Sequence, residues 1–420
     1  MQDHIKHLWI ATLFAAEEIP FALITFVAML IFLHEGLSAT DVTLLSSALF
    51  IPWVFKSWMR SYVKRAGNYR RWIHIAEVLI TLSLGALAFA LPHGKWWTLA
   101  SLMTVSLLCA WHELLARMYY ERMLHPEEQR RYNSLKTTAS QMAVVLTYGL
   151  VIIAVGILQI YFRERRFTYS WSLGVYITAG IFLFFMLLHL LILRRPVNDR
   201  EHPTNTVGGS IKAELHVIER IRQRPLWWRH VLALQLMLIP QGLLFFTRTI
   251  FLMDSPRRGG LGCTLQEIGF AQGTVGVIAF LTGMGASRWL MNNMPQDKLR
   301  LIFTISLGLS PFVYLFMTYY PPQSLMPLCI ATFQAQWFFG FGLGACRTGI
   351  RYISGDRYRN TVNILYVPLI SMCMLTPMAA SGCMIEHLDY KTFFIINATT
   401  SIIAWTLIPI IPNTPKHQDR

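Results

Sequence analysis

The sequence predicts an all-α membrane protein of twelve transmembrane helices arranged as two six-helix bundles. Three observations point there. Of the 420 residues, 54% are hydrophobic and 14% charged, against about 25% charged in soluble domains. So few charges cannot cover a water-exposed surface. The apolar residues also gather in runs of about 20, the length a helix needs to cross the hydrocarbon core. Finally, those runs lack the alternating pattern of a membrane barrel.

Six runs fall in the first half, at 8–33, 42–60, 73–92, 97–120, 135–160 and 173–193. Six more follow at 229–253, 265–290, 299–319, 324–350, 361–384 and 391–411. The longest connection, 194–228, divides them six and six. The expected organisation is therefore a first bundle over 1–193, a linker over 194–228 and a second bundle over 229–420. The linker opens polar and breaker-rich, from Arg194 to Gly209. It ends with Leu215, Ile218 and Ile221 spaced three apart among charges, which predicts an amphipathic helix on the membrane surface.

The net charge is +15. The basic residues sit in short clusters between apolar runs, so they do not form a nucleic-acid face. With both termini placed inside, about three-quarters of the 37 Lys and Arg residues fall in the cytoplasmic segments. That bias predicts a multi-pass protein of a bacterial inner membrane with both termini cytoplasmic. The first apolar run is too long for a signal h-region and is expected to stay as the first span. The six cysteines show no metal spacing, and most lie in apolar runs, where a thiol packs as a small hydrophobe. No metal or other cofactor is expected. No ATP-binding P-loop occurs, which argues against primary pumping.

A charged side chain at membrane depth is costly and so marks function by default. Glu17 and Glu18, followed by Pro20, lie near the middle of the first span and are the first proton-coupling candidates. His112 and Glu113 in the fourth span are the second, with Arg117 one turn after Glu113 on the same face. Either group could stand instead in a structural ion pair, and Lys56 is a possible partner for the first. Lys56 is also a candidate counter-charge for a substrate anion. Glu77, about five residues into its span, is expected at the interface. The second half carries amides: Gln235, Gln241, Gln272, Gln334 and Gln336, with Trp337 beside the last. Amides can bind sugar or peptide groups without burying a net charge, or can join helices. Gly273, Gly283 and Gly340 are positioned to let helices approach closely.

Four stretches resemble the muropeptide-permease and acetyl-CoA-transporter-like branch of the major facilitator superfamily. Ile19 to Leu23 is similar to its Leu-Pro-x-Ala-Leu. Val54-Phe55-Lys56 and the basic loop through Arg70 and Arg71 are similar to its second span and following loop. Glu113 and the segment Pro126 to Arg130 resemble an acidic fourth span and a Pro-x-Glu-Glu-Arg loop. Glu267 to Gly283 resembles the start of span eight. The resemblance implies alternating access by two half-bundles and a gating loop at Lys64, Arg65, Gly67, Arg70 and Arg71. Lys64 stands where the superfamily loop carries Asp before Arg-x-Gly.

The expected function is secondary active transport, as a monomer, of a small-molecule substrate: proton-coupled uptake of a cell-wall fragment or another glycan- or peptide-like solute. The alternatives are a transporter-like sensor and a membrane-embedded transferase. The loops are short and lack a catalytic cluster, so no enzyme is expected.

Overall fold

The computed structural model describes residues 2–56, 59–60, 62–63, 68–163, 168–194, 219, 223, 227–344, 346 and 359–407. The predicted amphipathic helix of the linker, and Lys64, Arg65 and Gly67 of the predicted gating loop, lie outside the described residues.

The described chain is helical throughout, with no strand among the described residues. A helix occupies each of the twelve predicted spans. Among the described residues, eight helices are long and apolar enough to cross a membrane. The first span is α1 (Gln2–Ala22), a π turn (Leu23–Val27) and α2 (Ala28–His34). Pro20 supplies no amide hydrogen to the helix ladder, and the extra residue of the π turn follows three positions later. The second span contains α3 (Ala39–Ala48) and α4 (Ile51–Val54). Next come α5 (Tyr69–Ala90) and α6 (Lys95–Met123).

The fifth span is longer than its apolar run. It consists of α7 (Pro126–Val144), a π turn (Val145–Val151) and α8 (Ile152–Phe162). The segment Pro126 to Arg130, read as a loop by resemblance, is instead the first turn of α7. Pro126 takes the first helical position, where its missing N–H costs nothing, and the His125 amide donates to Glu128 Oε2 at 3.1 Å. Then follow α9 (Thr168–Ile192) and α10 (Trp227–Met253). The eighth span starts at a capping box: the Thr264 amide donates to Glu267 Oε2 at 2.8 Å. It runs through α11 (Leu265–Ile268), a π turn (Gly269–Gly276) and α12 (Val277–Asn293). The last four helices are α13 (Gln296–Tyr319), α14 (Leu325–Gly342), α15 (Arg359–His387) and α16 (Tyr390–Leu407).

By packing, the chain forms two units. The first comprises 1–38, 48–211 and 264–274; the second comprises 39–47, 212–263 and 275–420. In the first unit, α1 packs on α7 and α6, and α5 on α6 and α9. Its core sets aromatic edges against faces: Trp9 meets Tyr119 at 5.3 Å and Phe14 meets Tyr120 at 5.3 Å between ring centroids. In the second unit, α12 packs on α14, α10 on α15, and α13 on α14 and α16. Leu234, Leu238, Leu299, Phe303 and Leu307 make a continuous core there. Small residues set the closest approaches, as expected. A Cβ on Gly283 would stand 2.4 Å from the Trp337 carbonyl, and one on Gly340 would stand 2.3 Å from that of Phe280. Segment 39–47 joins the second unit through Thr43, whose hydroxyl donates to the Ala379 carbonyl at 3.2 Å and accepts from the Gly382 amide at 3.2 Å. Among the described residues, no disulfide joins the six cysteines.

Candidate functional site

Two buried charge clusters and one polar junction lie within the first unit. The first cluster centres on Glu113 of α6. Its carboxylate is ion-paired with Lys56 and accepts a hydrogen bond from Trp53 Nε1 at 2.7 Å. Arg117 Nη2, one turn along the same helix, lies 3.7 Å from it. The expected Glu113–Arg117 pair is therefore present, and Lys56 shares the same carboxylate. Glu17 is 9% exposed, and its Oε2 has no hydrogen-bond partner among the described residues. Glu18, beside it, is half-buried. Both face the electrostatic field of Glu113, Lys56 and Lys136. Lys136 of α7 completes the group, with its Nζ 4.0 Å from the centre of the Phe14 ring and 5.4 Å from that of Tyr120. Three carboxylates (Glu17, Glu18, Glu113) thus stand with three cations (Lys56, Arg117, Lys136). The set is balanced in formal charge, which is how ionisable groups persist at membrane depth.

Lys136 escaped the sequence reading because the fifth span was taken to start at 135. The signal was the helix start at Pro126, which puts Lys136 about 15 Å along α7.

The second cluster corrects two expectations. Glu77, expected at the interface and so near water, is fully buried among helices. His189 Nδ1 of α9 lies 2.5 Å from its carboxylate, His112 Nε2 of α6 lies 3.5 Å away, and His74 Nδ1 lies 3.6 Å away. His112 therefore belongs to Glu77 rather than to the Glu113 group. Adjacent helical residues point about 100° apart, so His112 turns toward α5 and α9 while Glu113 turns toward Lys56. His74 shares one helical face with Glu77, but His189 is 112 residues away in the chain. Among the described residues, no group of His, Cys, Asp or Glu is arranged to hold a metal ion.

The junction joins the three π turns. Phe26 of the first stacks on Tyr148 of the second, with centroids 4.5 Å apart and planes at 17°. The Tyr148 hydroxyl donates to Gln272 Oε1 of the third. The backbones nearly touch: a Cβ on Gly273 would stand 2.4 Å from the Tyr148 carbonyl oxygen.

The family is readable from the chain as a whole. The Major Facilitator Superfamily matches it over residues 19–375. The chain belongs to the major facilitator superfamily. Solved transporters of this fold superpose on nearly the full length. A nucleoside transporter, NupG, is 13% identical, with a TM-score of 0.71 over 96% of this chain and 98% of its own. A D-xylose–proton symporter is 12% identical, with a TM-score of 0.70 over 99% and 100%. A bacterial homologue of the human lysosomal transporter Spinster is 14% identical, with a TM-score of 0.68 over 97% and 96%. At these identities the likeness concerns the fold. No curated protein matches the chain.

The amide candidates of this superfamily member have separate surroundings. Gln235 Nε2 donates to the Cys373 carbonyl at 2.9 Å, and Gln241 Nε2 to that of Leu307, so both tie helices of the second unit together. Gln272 belongs to the π-turn junction. Gln336 is buried in α14, Gln334 is exposed, and Trp337 stacks on Phe341 at 5.0 Å. Arg70 and Arg71 open α5 and line a shallow cavity of about 640 Å³ with Asn68, His74, Ile75, Val78 and Leu79.

Proposed function

We propose that this transporter takes up a small solute in symport with protons, as a monomer in a bacterial inner membrane with both termini cytoplasmic. The bundles 1–193 and 229–420, joined by the linker 194–228, are its alternating halves. The cargo is a cell-wall fragment or another glycan- or peptide-like compound, by the resemblance of the four stretches described above.

The observation that carries the coupling is the balanced cluster of Glu17, Glu18, Lys56, Glu113, Arg117 and Lys136. Glu113 is held by a lysine, an arginine and an indole N–H, whereas Glu17 Oε2 is buried without a hydrogen-bond partner among the described residues. Adding a proton to Glu17 or Glu18 leaves one more cation than carboxylate, and removing it restores neutrality. A cluster that changes net charge by one on a proton is a device that can bias two conformations.

The test is uptake of labelled anhydro-muropeptide into proteoliposomes with and without an inward proton gradient. Gradient-dependent accumulation is expected, and the double variant Glu17→Gln, Glu18→Gln should lose it. Wild-type, pH-dependent uptake by the double variant would remove these carboxylates from the coupling.

A further inference from the structure

The second unit holds a cation that the coupling cluster does not use. Arg248 lies in α10, five residues before the helix ends at Met253. It is only 6% exposed, and its Nε is sealed from solvent without a hydrogen-bond partner among the described residues. Its contact is the Phe245 ring, 5.4 Å from Cζ. The nearest carboxylate in sequence, Asp254, is engaged elsewhere, by Arg258 at 3.7 Å and by the Tyr390 hydroxyl at 3.0 Å. Among the described residues no carboxylate pairs with Arg248. Snorkelling does not account for it, because an arginine that reaches an interface exposes its head.

A second buried group without a partner lies on a helix packed against the same one. Asn397 of α16 is fully buried, and neither its amide nitrogen nor its amide oxygen has a hydrogen-bond partner among the described residues. α16 packs on α10, and Phe251 meets Phe394 there with centroids 5.2 Å apart. Arg248 precedes Phe251 by three residues and Asn397 follows Phe394 by three, so each lies about one helical turn from that contact.

An unpaired charge inside a membrane protein is expensive, and the large majority of buried side-chain polar atoms are hydrogen-bonded. Two such groups on adjoining helices of one unit mark a place completed by a ligand. The guanidinium fork matches two oxygens of one anion. We propose that Arg248 anchors an oxyanion of the transported solute, a carboxylate or a phosphate group, with Asn397 as a further polar contact. The assignment rests on the transport reading above and narrows it: the cargo is an acid. A peptide-like cargo satisfies this through its terminal carboxylate.

The test is equilibrium binding to the purified full chain in lipid nanodiscs, with two matched pairs of labelled probes. One pair is an anhydro-muropeptide and its carboxamide counterpart; the other is a hexose phosphate and the free hexose. The wild type should prefer the oxyanion member of one pair, and which pair responds distinguishes carboxylate from phosphate. Arg248→Gln should weaken that member by about 10- to 100-fold and leave its neutral counterpart unchanged. Arg248→Lys, which keeps the charge without the fork, should recover part of the loss.

Melting temperature supplies a readout independent of any ligand. Arg248→Gln should melt at or above the wild type, because a costly buried charge has been removed. A marked fall in melting temperature for both Arg248 variants would make the residue a structural partner and overturn the proposal. Equal loss of charged and neutral probes would overturn it as well. Binding of neutral probes alone by the wild type would overturn this proposal and leave the transport reading intact. Binding of no probe would overturn both.

Discussion

Lys56 and Glu113 form a buried ion pair inside the first unit, although they are separated in sequence by a whole helical hairpin. Breaking such a pair from one side leaves a stranded charge, at a cost of about 3–5 kcal/mol. The two sides are unequal here. Glu113→Gln strands both Lys56 and Arg117, whereas Lys56→Gln leaves Glu113 with Arg117 at 3.7 Å and Trp53 at 2.7 Å. Melting of purified variants should therefore rank Glu113→Gln as the more damaging, with the double variant Lys56→Gln, Glu113→Gln recovering part of the loss. Equal, additive losses would show that the two residues are not coupled.

The Glu77 cluster predicts a different ranking. Replacing Glu77 with Gln should cost several kcal/mol, because one fully buried carboxylate serves three imidazoles. Among the histidines, His189→Gln should cost most and His74→Gln least, following their distances of 2.5 and 3.6 Å from the carboxylate. Thermal unfolding of the three single variants reads this order directly.

Two glycines of α12 give a matched pair. Gly283→Ala would drive a Cβ to 2.4 Å from the Trp337 carbonyl, while Gly285→Ala meets nothing within 4 Å. The first should destabilise by about 1–3 kcal/mol through forced backbone movement. The second should gain about 0.4–1 kcal/mol from reduced unfolded-chain freedom. Opposite signs two residues apart in one helix would be hard to obtain from anything but the α12–α14 approach.

Asp389 precedes α16, and a hydrogen bond from the Thr392 side chain holds its carboxyl below the usual aspartate range. A depressed carboxylate contributes stability that is present above its unfolded pKa, about 3.9, and is lost as pH falls through the lower folded value. Unfolding followed from pH 6 downward should show this loss below about pH 4 in the wild type, and Asp389→Ala should flatten that part of the curve.

What was legible in the sequence and what was not separate by range. Span positions follow from run length and polarity, so a helix appears in every predicted place. Glu113 with Arg117 was readable from a four-residue spacing on one helix. Glu77 with His189 was not, because a contact across 112 residues leaves no periodic trace. Its solvation was misjudged for the same reason: distance from a helix end says little once other helices cover the site. Lys136 was missed through a boundary, since hydropathy finds the apolar part of α7 and α8 while the capping box at His125 sets the true start. Arg248 sits five residues before the end of α10, where sequence alone does not separate an enclosed arginine from one at a helix end, and only packing shows it enclosed.

The three π turns have a mechanical consequence. A π turn carries one residue more per turn than an α turn, so its relaxation to α geometry would advance the remaining helix by one position. That amounts to about 100° of rotation and 1.5 Å of travel. Such a step exchanges one complete ladder of backbone bonds for another. The first, fifth and eighth spans thus each contain a slip joint, and the three joints share a single bearing at Tyr148. Turning one of them would present a new side-chain face without bending the helix at all.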